Sequence, residues 1–248
     1  MNFNTVRIVL VGTTHPGNIG SAARAMKTMG FQRLVLVSPK IFPDLKAREM
    51  AAGADDILEN AIVVDSLDKA LEGAQLVLAM SARPRHLSLP GFTPADGAQF
   101  LMGFDDSVEI AILFGREHAG LTNDELMRCQ YHIQIPSDPL FKSLNLAQSV
   151  QIMTYELRMR LLNPEAQVTM NQEGALATTD DMERFHVHLN QVLTAIQFLK
   201  VKNPGRVPNR LRRLFNRDNL EKTEVNMLRG MLTHIQRVLK FKDSGEHE

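Results

Sequence analysis

EIAILFGREHAGLTNDELMRCQYHIQIPSDPLFKSLNLAQSVQIMTYE, residues Glu109–Glu156, is the most informative stretch of the chain. It opens on an apolar run, Ile110–Phe114, closed by Gly115, the pattern of a strand buried on both faces. A glycine-punctuated loop, Gly115–Gly120, follows. Thr122 and Glu125 then make a capping box: the threonine hydroxyl can accept from the first turn while the glutamate reaches back to the cap. A second short strand is expected at His132–Ile135, ended by Pro136. The loop Ser137–Lys142 leads to Ser143, Leu144 and Asn145. From there Leu146, Val150, Met153, Leu157 and Leu161 recur at helical spacing. Two strand ends are thus each followed by a loop that feeds a helix start. In a parallel α/β sheet such loops lie together at the carboxyl ends of the strands, where ligands bind. Their unpaired backbone N–H groups can receive polar ligand atoms.

The same alternation runs backward to the amino terminus. Arg7–Gly12 reads as a buried strand, and Thr13–Gly17 as a turn. Asn18 opens a helix whose face is Ile19, Ala22, Ala23, Met26 and Met29, stopped by Gly30. Asn18 and Arg24 project from its first turns. Strands are expected at Leu34–Val37, Ile62–Val64 and Leu76–Met80, with a helix over Pro43–Glu59 and another capped by Ser66. The segment Pro84–Pro94, rich in proline, reads as a loop; Thr93 then caps a helix with Pro94 at its first position. Six strands alternating with helices predict an α/β domain with a mostly parallel sheet, residues 1–162.

Residues 163–179 lack periodicity and read as a linker. A helical extension, 180–248, follows. Asp180 and Glu183 signal its start, with Met182, Phe185, Leu189, Val192, Ile196 and Leu199 in one stripe. Val225, Leu228, Leu232, Ile235 and Leu239 form a second. Residues 1–165 carry 15 Lys and Arg against 18 Asp and Glu, and residues 166–248 carry 13 against 10. The total charge of zero therefore hides −3 and +3. Between Lys200 and Arg217 stand seven basic and no acidic side chains, which points to an anionic partner.

Much chemistry is excluded. Gly12, Gly17 and Gly20 spell no dinucleotide fingerprint, and no phosphate-binding loop follows them. The eight histidines and the single Cys129 show no zinc spacing, so no metal is expected. Cys129 reads as a half-buried helix residue rather than a nucleophile. Without Trp and with two Tyr, the chain offers no aromatic platform for single strands. No apolar run reaches the ~18 residues of a membrane span, no secretory signal is evident, and one cysteine allows no internal disulfide. A cytoplasmic protein that does not engage membranes is expected.

Three motifs carry a resemblance. NIGSAAR (Asn18–Arg24), FGREHAGLT (Phe114–Thr122) and SLNLAQSVQI (Ser143–Ile152), with Ser81-Ala82-Arg83 between the first two, resemble the SPOUT class of S-adenosylmethionine-dependent RNA methyltransferases. They fit its TrmH-like branch of ribose 2′-O-methyltransferases. LRRLFNR (Leu211–Arg217) and LRGML (Leu228–Leu232) extend the likeness over almost the whole chain. The resemblance implies a deep C-terminal trefoil knot, a rare exception among unknotted chains. It also implies a homodimer whose active site is completed across the subunit interface, and a cofactor held by three loops. The loops map onto Met80, Ser81 and Ala82; onto Phe114–Gly120, with Gly115 and Gly120; and onto Ile135–Leu146, with Ser143 and Leu144. Ile135 and Leu144 would sandwich the adenine.

By the same resemblance the substrate is tRNA, methylated on the ribose of cytidine or uridine at nucleotide 32 of the anticodon loop. Arg24 is then the catalytic residue. A guanidinium stays protonated in proteins, so its expected role is to clamp phosphate and stabilise the emerging alkoxide. Ser143 and Asn145 would position the nucleotide, Asn18 would brace Arg24, and Glu117 would either structure its loop or act directly. Arg83, Arg85 and Arg116 would touch anticodon-loop phosphates, and Arg210, Arg212, Arg213 and Arg217 the tRNA body. Three rival readings stand beside this one: ribosomal RNA as the substrate, a catalytically silent RNA-binding module, or a generic nucleotide-binding α/β enzyme, against which the missing phosphate loops count.

Overall fold

The computed structural model describes residues 2–81, 89–141, 143–163, 174–200, 205–217 and 219–245, with side chains up to residue 239. The chain divides into two compact units, Met1–Asn171 and Gln172–Glu248.

The first unit is built on a seven-stranded sheet. Its strands are β1 (Val6–Val11), β2 (Arg33–Val37), β3 (Ile62–Val64), β4 (Leu76–Met80), β5 (Gly91–Phe92), β6 (Ile110–Phe114) and β7 (Tyr131–Ile133). The order is β3-β2-β1-β6-β4-β7-β5. Every neighbouring pair among the described residues is parallel. Its helices are α1 (Pro16–Met29), α2 (Leu45–Ala51), α3 (Asp55–Glu59), α4 (Leu67–Leu71), α5 (Pro94–Leu101), α6 (Asn123–Leu126) and α7 (Leu146–Leu162). β1, β4 and β6 are buried along their whole length, because helices cover both faces of the sheet. On one face Val9, Val35, Val77, Ala111 and Leu113 pack with Leu71 of α4 and Leu126 of α6. At the amino ends of the strands the Arg7 guanidinium donates to the Ala70 and Glu72 carbonyls, at 3.1 and 2.9 Å, and to Glu109 at 2.8 Å. Arg33 reaches the same carboxylate oxygen at 2.7 Å. Both terminal nitrogens of a largely desolvated arginine are thereby paired, while its Nε is buried without a partner.

Several expectations need correction. The Pro84–Pro94 loop contains β5, a two-residue strand formed by pairing with His132 and Ile133. So short a strand has no pattern of its own; its partner creates it. The helix expected over Pro43–Glu59 is two, α2 and α3. They are separated where Ala52 and Gly53 adopt left-handed conformations, φ 46° and 92°. α1 begins at Pro16, two residues before Asn18. Gly20 on α1 faces Ala47 so closely that a Cβ there would collide with the Ala47 carbonyl, which lets α1 and α2 touch. Cys129 lies beyond α6 and is wholly buried. Desolvation pushes its thiol well above the ordinary range, so it is inert.

Among the described residues the second unit holds three helices: α8 (Thr179–Ala195), α9 (Val207–Phe215) and α10 (Lys222–Gly245). Two were expected; the third, α9, is folded from the basic segment itself. α8 is capped by a box between Thr178 and Asp181 rather than Asp180 and Glu183. The last residues of the expected linker are pinned. Ala177 N–H donates to Leu220 O at 2.8 Å and Lys222 N–H to Ala175 O at 2.9 Å. Phe185, Val192, Val225 and Leu232 form the core, whereas Ile196 and Ile235, expected in the buried stripes, are exposed. Among the described residues no helix is long and apolar enough to cross a membrane.

Candidate functional site

The sheet register assembles the site. Met80, Phe114 and Ile133 end β4, β6 and β7 in one row, and Leu10 of β1 lies beside Phe114. The loops after these strands therefore open side by side at one edge of the sheet. Between them is a cavity of about 440 Å³, lined by Met80 and Ser81, by Phe114–Gly120, by Ile133 and Ile135–Ser137, and by Ser143, Leu144, Leu146, Ser149 and Ile152. That volume lies within the range of about 300–1,000 Å³ usual for small-molecule pockets.

The middle loop is a tight closure. Gly120 N–H donates to Arg116 O at 2.8 Å and Arg116 N–H to Gly120 O at 3.2 Å. Gly115 is enclosed by it: a Cβ there would run into the backbone of Gly120 and Leu121. The Thr122–Glu125 capping box is present as expected. Glu125 also takes both terminal nitrogens of Arg116 at 3.0 Å. Arg116, expected to meet RNA, is thus anchored within its own loop. At Ser81 the backbone N–H donates to Ile133 O at 3.1 Å, and the carbonyl lies 3.0 Å from His132 Nε2. The sheet edge occupies that N–H.

Glu117 is the hinge of the arrangement. One carboxylate oxygen accepts from Thr14 N–H at 3.1 Å and Thr14 O–H at 2.9 Å. The other accepts from His15 N–H at 3.1 Å and the Asn18 amide at 2.9 Å. Partial burial would raise its pKa, but the bonds from Asn18, from its own N–H and from Thr14 outweigh that and hold it at about 2. The carboxylate ties its loop to the β1–α1 turn. Asn18 continues the chain of bonds, accepting from the Asn145 amide at 3.0 Å. Asn145 in turn caps α7 through its oxygen, 2.8 Å from Ala147 N–H. Asn18 therefore braces Glu117 and Asn145; the Arg24 side chain makes no hydrogen bond or ion pair among the described residues.

Arg24 instead lines a second, open cavity of about 750 Å³ with His15, Asn18, Lys46, Asn145, Gln148 and Gln151, among others. Asn18 and Asn145 belong to this cleft, while Glu117, bonded to Asn18, lines the first pocket. Sequence reasoning missed Lys46, since α2 carries no motif, and gave no role to Gln148 and Gln151, although both stand within the Ser143–Ile152 motif. Thr14 escaped too, because its role exists only once Glu117 is folded onto it. Ser143 and Leu144 stand at the pocket rim, exposed. Ala82, Arg83 and Arg85 fall outside the described residues. In the second unit Arg210 and Arg217 are exposed, Arg213 is half-buried, and Arg212 is bound by Glu183 at 2.7 and 3.0 Å.

Comparison with known proteins places this arrangement. The SpoU rRNA methylase family profile matches residues 5–155, and the profile of the C-terminal domain of the tRNA methyltransferase TrmJ matches residues 180–244. The chain is 45% identical to tRNA (cytidine/uridine-2′-O-)-methyltransferase TrmJ of Yersinia enterocolitica, over 98% of this chain and 95% of that protein. It is 48% identical to tRNA (cytidine/uridine/adenosine-2′-O-)-methyltransferase TrmJ of Pseudomonas aeruginosa, over 97% and 98%. The crystal structure of TrmJ from Z. mobilis superposes with a TM-score of 0.81 at 30% identity, covering 93% of this chain and 98% of that one. The chain belongs to the SpoU methylase family, in the branch whose members carry the TrmJ C-terminal domain.

Proposed function

We propose that this chain is an S-adenosylmethionine-dependent methyltransferase acting on the ribose 2′-hydroxyl of cytidine or uridine at nucleotide 32 of tRNA. The observation that carries the reading is the bonded chain Glu117–Asn18–Asn145, which holds a largely apolar pocket beside an open cleft lined by the Arg24 guanidinium.

The pocket fits the cofactor. Ile135 and Leu144 offer apolar surface for a base, and the loop around Gly115 and Gly120 offers backbone polar groups at close approach, with Met80, Ser81 and Ser143 at the rim. When bound, the cofactor supplies an electrophilic methyl group. Arg24 holds a phosphate next to the acceptor ribose and stabilises negative charge as the hydroxyl becomes an alkoxide. The hydroxyl proton leaves to phosphate or water, since guanidinium cannot take it. Ser143 and Asn145 position the nucleotide, and Asn145 and Asn18 keep the two cavities in register. Such fixed alignment lowers the barrier by avoiding loss of freedom at the moment of reaction.

The exposed apolar side chains Tyr155, Met159 and Leu162 on α7 support a homodimer that covers them. The strand order β6-β4-β7-β5, in which the last strand lies between two laid down earlier, supports the trefoil knot. Residues 1–162 form the catalytic domain and 180–248 the tRNA-binding extension in this reading, with a cytoplasmic location. Arg83 and Arg85, by their place after β4, meet the anticodon loop; Arg210, Arg213 and Arg217 meet the tRNA body.

The test is mass-spectrometric mapping of tRNA and ribosomal RNA after incubation with protein and methyl-labelled cofactor. Methylation at ribose 32 of tRNA is expected. Label in ribosomal RNA alone, or none in either, overturns the reading.

A further inference from the structure

The seven cations of Lys200–Arg217 look equivalent in sequence, but the fold of α9 separates them. Three contacts fasten α9 to α8. Arg212 forks onto Glu183 at 2.7 and 3.0 Å; the Phe215 ring meets Phe185 edge-on at 4.8 Å; and the Asn216 side-chain oxygen lies 3.1 Å from His186 Nε2. These residues define the inward face. Arg206 at the N-cap of α9, Arg210 within it and Arg217 just past its C-cap Asn216 stand four and seven residues apart, and both caps keep right-handed helical backbone, so the three follow one side of the helical path. At 100° per residue that stripe lies on the side opposite Phe215. Arg206, Arg210 and Arg217 are exposed and make no ion pair among the described residues. From first to last the stripe runs about 16 Å at 1.5 Å per residue.

We propose that Arg206, Arg210 and Arg217 form a rail for the sugar–phosphate backbone of RNA, and that Arg212 is an internal strut which does not touch it. This deepens the tRNA reading above and rests on it. A row of guanidiniums without aromatic side chains suits phosphates better than bases: the fork of each matches phosphate oxygens, and the stripe offers no aromatic platform for successive bases. Binding through it is therefore independent of sequence and steeply dependent on salt.

The full chain is titrated with unmodified tRNA by filter binding at several salt concentrations, without turnover. The variants are Arg206→Gln, Arg210→Gln and Arg217→Gln, singly and together, beside Arg212→Gln. All three rail positions are exposed and glutamine keeps the helix; melting curves check folding, and the single variants stand in should the triple be unstable. The triple variant is expected to bind at least tenfold more weakly at ~0.1 M salt, with its log–log salt slope reduced by about 2–3. Arg212→Gln should lower the melting temperature and leave the slope as it was. Triple-variant affinity and slope equal to wild type overturn the rail. So does a slope change in folded Arg212→Gln as large as in Arg210→Gln. A variant that keeps tRNA affinity but loses binding to vesicles with anionic headgroups would assign the stripe to a membrane and also overturn it. Wild type that methylates tRNA while the triple variant binds normally sinks the rail alone; wild type that methylates no tRNA sinks the functional reading instead.

Discussion

Replacing Glu117 by glutamine probes the joint on which the site depends. The carboxylate accepts four hydrogen bonds, two on each oxygen. Glutamine keeps one acceptor oxygen and turns an NH2 group toward two donors that have lost theirs. A carboxyl held at about 2 instead of its ordinary 4.5 corresponds to about 3.4 kcal/mol at neutral pH, at 1.36 kcal/mol per pKa unit. Solvent reaches this carboxylate, so screening reduces that to about 1–2 kcal/mol. Loss of two charge-assisted bonds at a half-buried site gives a similar figure. For a chain of this size the melting temperature should fall by about 2–8 °C. The pKa is depressed in the folded state. Its contribution is therefore complete above the unfolded value of 4.5 and is lost as pH falls toward 2. Melting curves of both proteins between pH 7 and pH 3.5 should converge as the pH is lowered. Turnover at neutral pH should fall more than stability alone explains, because Asn18 and Asn145 lose their anchor. Equal melting temperatures at pH 7, or a gap that widens toward acid, would refute the role given to this carboxylate.

Arg24→Ala should abolish turnover in a methyl-transfer assay while calorimetry finds cofactor affinity unchanged; an equal loss of both would show that the side chain holds the fold instead. Gly115→Ala should cut cofactor affinity by more than tenfold, since the new methyl meets the Gly120–Leu121 backbone; wild-type affinity would mean the loop is not part of the pocket. Asn145→Asp keeps the α7 cap but cannot donate to Asn18. It should hold the folding stability within about 1 kcal/mol yet reduce kcat, and unaltered kcat would separate the amide from the site. Cys129 should resist thiol reagents in the native protein and react only on unfolding, as rapid native labelling would disprove.

The residues that announce themselves do so through local physics. Ile110–Phe114 reads as a central strand because a strand covered on both faces needs an unbroken apolar run. Thr122 and Glu125 read as a helix start because that cap is made within four residues. The pairing of Asn18–Arg24 with Ser143–Ile152 was legible as motif. What sequence could not supply is whatever depends on a partner far along the chain. β5 is a strand only because β7 lies beside it. Arg116 and Arg212 read as free cations until Glu125 and Glu183 are folded onto them. Thr14 is silent until the Glu117 carboxylate arrives from about a hundred residues away. Backbone preference and periodicity act over a few residues and are written in the chain; charge pairing, desolvation and the meeting of loops act through space, and only the folded sheet sets those distances.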